Sequence, residues 1–109
     1  MASRGVKTRA KLLHTNTINW NLIPHFKQSE FACKCGCGFD DINIQIVTIL
    51  EKIRAHFGNN PLIVTSGCRC IKHNKKVGGI QGSKHLKGDA CDFYIKNVST
   101  QNLLNYTMQ

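Results

Sequence analysis

The stretch Ser83-Lys84-His85-Leu86-Lys87-Gly88-Asp89-Ala90-Cys91-Asp92 constrains this chain more tightly than any other. It sets an imidazole at His85 and a carboxylate at Asp92 seven residues apart. Zinc accepts that nitrogen-and-oxygen donor pair, and catalytic zinc takes three protein ligands with one position left open. Gly88 and Ala90 lie between the two donors, small residues that let the backbone turn and pack closely. Asp92 opens the β-prone run Phe93-Tyr94-Ile95, which sets the carboxylate at the head of a strand. His85 is then expected on the loop before it, a mobile ligand facing a rigid one on the same side of a sheet. Taken alone, the pair also reads as a surface histidine and an ordinary turn carboxylate.

The rest of the chain supplies elements for such a sheet to pack against. Ile42, Ile46, Ile49, Leu50, Ile53 and Phe57 recur at three- and four-residue intervals, predicting a helix over residues 42–57 with one buried stripe. Asp41 is the expected N-cap and Gly58 the stop, with Asn59, Asn60 and Pro61 completing a turn. Glu51, Lys52, Arg54 and His56 are expected to face solvent. Leu62-Ile63-Val64-Thr65 reads as a short strand running into Ser66-Gly67. Arg69 follows, offering a planar fork suited to a carboxylate or a developing oxyanion. The plainer role for Arg69 is pairing with a local acid. His73 to Gly79 reads as a helical turn ending in a glycine loop, and Ser99 or Thr100 caps a last helix containing Leu103, Leu104 and Tyr106. Ser29-Glu30-Phe31 reads as a short helical turn. The fold class is α+β, a small antiparallel sheet packed against helices.

Charge and cysteine content bound the surroundings. Fifteen Lys and Arg against six Asp and Glu give +9 over 109 residues, which favours polyanionic partners: nucleic acid, an acidic membrane surface or an anionic cell wall. Residues 1–20 carry Arg4, Lys7, Arg9 and Lys11 and read as a basic arm, with one domain over residues 21–109. No apolar run is long enough for a membrane span, and no apolar core follows the basic N-terminus as in a secretory signal. Synthesis in the cytoplasm is therefore expected, where disulfides are disfavoured. Of the six cysteines, Cys33, Cys35 and Cys37 alternate, Cys68 and Cys70 flank Arg69, and Cys91 precedes Asp92. A structural zinc on some of Cys33, Cys35, Cys37 and Cys70, a disulfide formed outside the cell, and inert thiols all remain open. Cys-x-Cys-x-Cys lacks the longer spacer usual between paired zinc ligands.

The pattern Ser-x-His-x-x-Gly-x-Ala-x-Asp at residues 83–92 resembles, at all five specified positions, the signature of the zinc D-alanyl-D-alanine carboxypeptidases and related peptidoglycan endopeptidases. Phage endolysins are among that family, which shares its fold with the Hedgehog signalling domain. Ser29-Glu30-Phe31-Ala32-Cys33, Thr65-Ser66-Gly67-Cys68-Arg69, His73-Asn74 and Gly78-Gly79 extend the likeness over roughly residues 25–100. The resemblance implies a Hedgehog/DD-peptidase-like fold with Zn2+ held by His85 and Asp92. It implies a zinc-activated water attacking a peptide carbonyl of the peptidoglycan stem peptide, Arg69 on the substrate or the oxyanion, and Asn74 ordering the loop. Ser83 would donate to the substrate backbone. The expected place of action is the bacterial cell wall, in phage lysis or on the phage particle, with no membrane insertion.

The family pattern also expects a third ligand, a histidine on a later strand, with the residue that handles protons just before it. This chain has no histidine after His85 and no Asp or Glu after Asp92, so the general base is not identifiable. The expectation is a chain lacking the C-terminal part of the pattern. The substitutes within the sequence are His14, His25, His56, His73 and Cys91, and another chain is a further source. Two alternatives follow: a catalytically inactive wall-binding module of the same fold, and, less favoured, a cysteine-rich zinc protein that binds nucleic acid.

Overall fold

Asn43, rather than Asp41, starts the long helix. The structure, a computed structural model, describes residues 18–107, and helix α1 spans Ile44–His56 with the Asn43 side chain accepting from the Gln45 amide at 2.9 Å. Both residue types cap well; the choice falls to Asn43 because Ile42 must turn inward first. Ile42 is 2% exposed and Val47, four residues past the cap, is fully buried, a hydrophobic pairing across the helix start. Gly58, at φ +61°, follows the helix in the left-handed region that favours glycine. The buried stripe is Val47, Leu50 and Ile53. Ile46 and Phe57 flank it, while Ile49, expected inside, is exposed. At 3.6 residues per turn Ile49 points about 200° around the axis from Val47. Glu51 is not a free surface acid: its carboxylate accepts from the His25 backbone amide at 2.8 Å and meets His25 Nδ1 at 2.6 Å.

Strands β1 (Leu62–Ser66) and β2 (Asp92–Ile95) form an antiparallel pair. Leu62 opposes Ile95 and Val64 opposes Phe93, so these four make the core face. Helix α2 (Ile71–Lys76) follows β1, and helix α3 (Thr100–Thr107) closes the described chain. Ser99 caps α3 by accepting from the Asn102 amide at 3.1 Å. Tyr106 of α3 stacks on His56 at a ring separation of 3.9 Å and meets Phe57 edge-on, docking α3 against the end of α1. Three 3₁₀ turns, Trp20–Leu22, Gln28–Phe31 and Lys84–Lys87, complete the set. The chain therefore adopts the expected α+β arrangement.

Phe31 is the centre of the core. It is fully buried, with the rings of Trp20 and Phe26 each 5.8 Å away. Ile18 and Trp20 pack on this cluster, so the domain reaches back at least to Ile18; residues 1–17 of the basic arm lie outside the described residues. No described helix is long and apolar enough to cross a membrane.

Candidate active site

A bulge in β1 builds the site. Phe93 pairs with Val64 while its neighbour Asp92 pairs with Ser66, so Thr65 is the extra residue. A bulge of this kind bends the strand and re-aims side chains, and here it brings Ser66 beside Asp92 just before Arg69. Gly67 comes next, where the strand passes over Phe31 so closely that a Cβ would lie 2.7 Å from the Phe31 carbonyl oxygen.

The two candidate ligands meet, with roles reversed from the expectation. His85 is the fixed one, 8% exposed on the Lys84–Lys87 turn. Its Nδ1 lies 2.7 Å from the Gly67 carbonyl oxygen. A carbonyl only accepts, so Nδ1 carries a proton, and in the neutral ring Nε2 is the nitrogen that presents a lone pair. Nε2 faces Asp92 Oδ2 at 3.4 Å. Two electron-pair donors then converge on one point, which a shared cation satisfies. Asp92 is the freer partner, its side chain 58% exposed. Ser83 is buried, and its Oγ accepts from the His85 amide at 3.2 Å, so the hydroxyl caps the turn that carries the imidazole.

Arg69 binds three acceptors at once. Nε donates to Ser66 Oγ at 3.0 Å, Nη1 to Asn74 Oδ1 at 3.0 Å and Nη2 to Asp92 Oδ2 at 3.3 Å. Its own amide donates to the His85 carbonyl at 2.9 Å, so Arg69 is tied to both candidate ligands. Asn74, 4% exposed, also donates to the Ile80 carbonyl at 2.9 Å, which holds the glycine loop. A Cβ on Gly79 would fall 2.0 Å from Asn74 Oδ1 and 2.9 Å from Arg69 Nη1. Gly79→Ala is accordingly expected to push both side chains aside and cost about 1–3 kcal/mol. The check is a urea titration together with loss of the Arg69–Asn74 contact in a crystal structure of the variant.

The possible third ligands among the described residues do not join the pair. His25 is bonded to Glu51 and His56 is stacked on Tyr106. Cys91 donates to the Asp92 carbonyl at 3.7 Å, and burial, with the charge of Asp92, pushes its thiol up to about 12. His73 Nδ1 is buried and has no hydrogen-bond partner among the described residues. His14 falls outside them. Among the described residues no third His, Cys, Asp or Glu joins His85 and Asp92 closely enough to share an ion with them. His85 and Asp92 thus fit zinc in donor type and orientation and supply two of the three ligands a catalytic site uses.

The cysteines named from the sequence come together instead. The sulfurs of Cys33, Cys35, Cys37 and Cys70 lie within 4.8 Å of one another, and none of the six cysteines is in a disulfide. Cys70 caps α2, its sulfur accepting from the His73 amide at 3.3 Å. That bond is the main reason its thiol is lowered to about 7, while the Cys33 contact leads in raising Cys35 to about 12. Thiolates, not thiols, are alkylated. In metal-free protein Cys70 is therefore expected to react first with iodoacetamide at neutral pH. Its rate should fall as pH drops below 7, with Cys35 and Cys91 staying slow, as peptide mass spectrometry of a short pulse would read out.

A family model described as Peptidase M15 matches residues 24–109. The chain belongs to the peptidase M15 family. The match takes in every residue of the candidate site, from the cysteine loop to Asp92. No curated protein and no solved structure matches this M15 chain significantly. Gly67 and Gly79 carry part of the likeness read from the sequence, but their close packing, on Phe31 and on Asn74 and Arg69, has no sequence signal beyond the missing side chain.

Proposed function

We propose that this M15 chain is a zinc-dependent peptidoglycan peptidase, a D-Ala-D-Ala carboxypeptidase or a stem-peptide endopeptidase. The observation that carries the reading is the His85 ring, held by the Gly67 carbonyl with Nε2 turned onto Asp92. A backbone carbonyl on the far nitrogen is the usual partner of a metal-ligating histidine, fixing its tautomer and orientation. Bound between His85 and Asp92, zinc would supply Lewis acidity for a peptide carbonyl.

The protein's own part is to hold and orient. Arg69 fixes the freely exposed Asp92 carboxylate, and its remaining N–H groups offer a fork to a substrate carboxylate or carbonyl oxygen. A groove of about 510 Å³ lined by Ile71, Asn74, Gly79 and Leu86 borders this group. Asn74 and Gly79 touch Arg69, and Leu86 follows His85, so a stem peptide lying in the groove would end at the site. The +9 charge favours approach to an anionic bacterial wall, where a lytic or particle-bound phage enzyme would act.

A second reading, a wall-binding module without activity, is favoured by the two-residue ligand set. Purified peptidoglycan incubated with zinc and the protein separates the two. New amino groups or free D-alanine, lost with His85→Ala, are the expected result. Protein that pellets with the wall and releases neither would establish the binding module. Salt-sensitive binding to nucleic acid in place of the wall would point to the third reading.

A further inference from the structure

We propose that Cys33, Cys35, Cys37 and Cys70 form a structural zinc site, distinct from the His85–Asp92 pair, that clamps the cysteine loop to the segment carrying Arg69. The sulfur geometry stands whatever reaction, if any, His85 and Asp92 support.

Sulfurs at the corners of a tetrahedron about 2.3 Å from zinc stand roughly 3.8 Å apart. Here Cys33 and Cys35 are 3.4 Å apart, Cys35 and Cys70 3.6 Å, and Cys33 and Cys70 3.8 Å. Three of the six edges are thus close to those of a tetrathiolate site, and Cys37 Sγ lies within 4.8 Å of the other three sulfurs. Alternating cysteines reach this geometry because the loop is folded by two glycines in the left-handed region, Gly36 at φ +84° and Gly38 at φ +94°. The Cys33 amide donates to the Phe39 carbonyl at 2.8 Å and closes the loop, and the Gly36 amide donates to the Cys33 carbonyl at 3.1 Å. These turns remove the objection that the spacing is too short.

Two amides already face the sulfurs as they would face thiolates. The Cys70 amide donates to Cys33 Sγ at 3.4 Å and the His73 amide to Cys70 Sγ at 3.3 Å. Such contacts orient and support metal ligands. Four protein ligands leave no open position, which makes the site structural rather than catalytic. Its place in the chain gives it a task. Cys70 follows Arg69 directly and caps the helix that carries Asn74, so a metal there would fix both ends of the Arg69–Asn74 contact to the loop before α1.

Zinc content and cobalt spectra of the full chain test this. Cys35 and Cys37 are exposed, so the double variant Cys35→Ser/Cys37→Ser removes two ligands without opening the core. Wild type and His85→Ala are expected to keep a tightly held zinc, which the double variant loses. Cobalt in place of zinc should give strong thiolate-to-metal charge-transfer absorption with tetrahedral d–d bands in the first two proteins only. Amide exchange at Cys70 and His73 should accelerate roughly tenfold or more in the double variant as the clamp opens. The wild-type cobalt spectrum decides the matter even if the variant misfolds. No charge-transfer band, zinc that survives the cysteine substitutions, or an intact mass showing these sulfurs paired as disulfides would each overturn the proposal.

Discussion

Gly67→Ala is expected to cost about 3 kcal/mol and to disable the site with it. The added methyl would lie 2.7 Å from the Phe31 carbonyl oxygen and 2.8 Å from the Phe31 Cα. Both are backbone atoms of a fully buried core residue, so neither can rotate away. The same Phe31 carbonyl accepts the Cys68 amide at 2.9 Å, and the Gly67 carbonyl anchors His85. Relief of the clash must move one or both. Urea denaturation measures the loss. Gly36→Ala is the contrast: nothing lies within 4 Å of its Cβ position, and only the left-handed backbone resists it, at about 1–2 kcal/mol. Equal stability of the Gly67 variant and wild type would mean that the strand does not pass over Phe31 as described.

The second large effect is expected from Arg69→Lys, a change that preserves charge. Three separate acceptors, on Ser66, Asn74 and Asp92, are met by one guanidinium. A single ammonium cannot reach all three in one plane. Asn74 Oδ1, in a side chain almost fully buried, then loses its donor, at about 1–3 kcal/mol. Asp92 loses the contact that holds it toward His85. Peptidoglycan release is expected to fall about 100-fold or more, with much less change in wall binding. A lysine variant that keeps wild-type turnover would reduce Arg69 to a surface pairing.

Much of this was legible in the residues. The α1 stripe, the two strands and the Ser99 cap follow from periodicity and capping chemistry, and the pattern from Ser83 to Asp92 led to the family. The details that failed share a cause: they are decided between elements. Asp41 and Asn43 are both good caps, and burial of Ile42 chose between them. The bulge at Thr65 leaves no periodic trace, yet it sets Ser66 against Asp92. His85 was expected on a mobile loop because nothing in its neighbours announces that the Gly67 carbonyl, far off in sequence, will hold its ring. The cysteine run lacks the usual spacer, which leaves structural zinc open in the sequence, and the left-handed turns at Gly36 and Gly38 belong to the fold, not to the spacing. His25, His56 and Cys91 are engaged with Glu51, Tyr106 and the Asp92 carbonyl, which periodicity could not show.

Nitrogen NMR of the His85 ring is the sharpest test of a metal-ready His85–Asp92 pair. Long-range proton–nitrogen correlation spectra of metal-free protein, with and without added zinc, read the tautomer and the free nitrogen separately. The expected result is a proton on Nδ1, held by the Gly67 carbonyl, and a shift of the Nε2 resonance on zinc addition that Asp92→Asn abolishes. A proton on Nε2, or a His85 spectrum that zinc leaves unchanged, would contradict it.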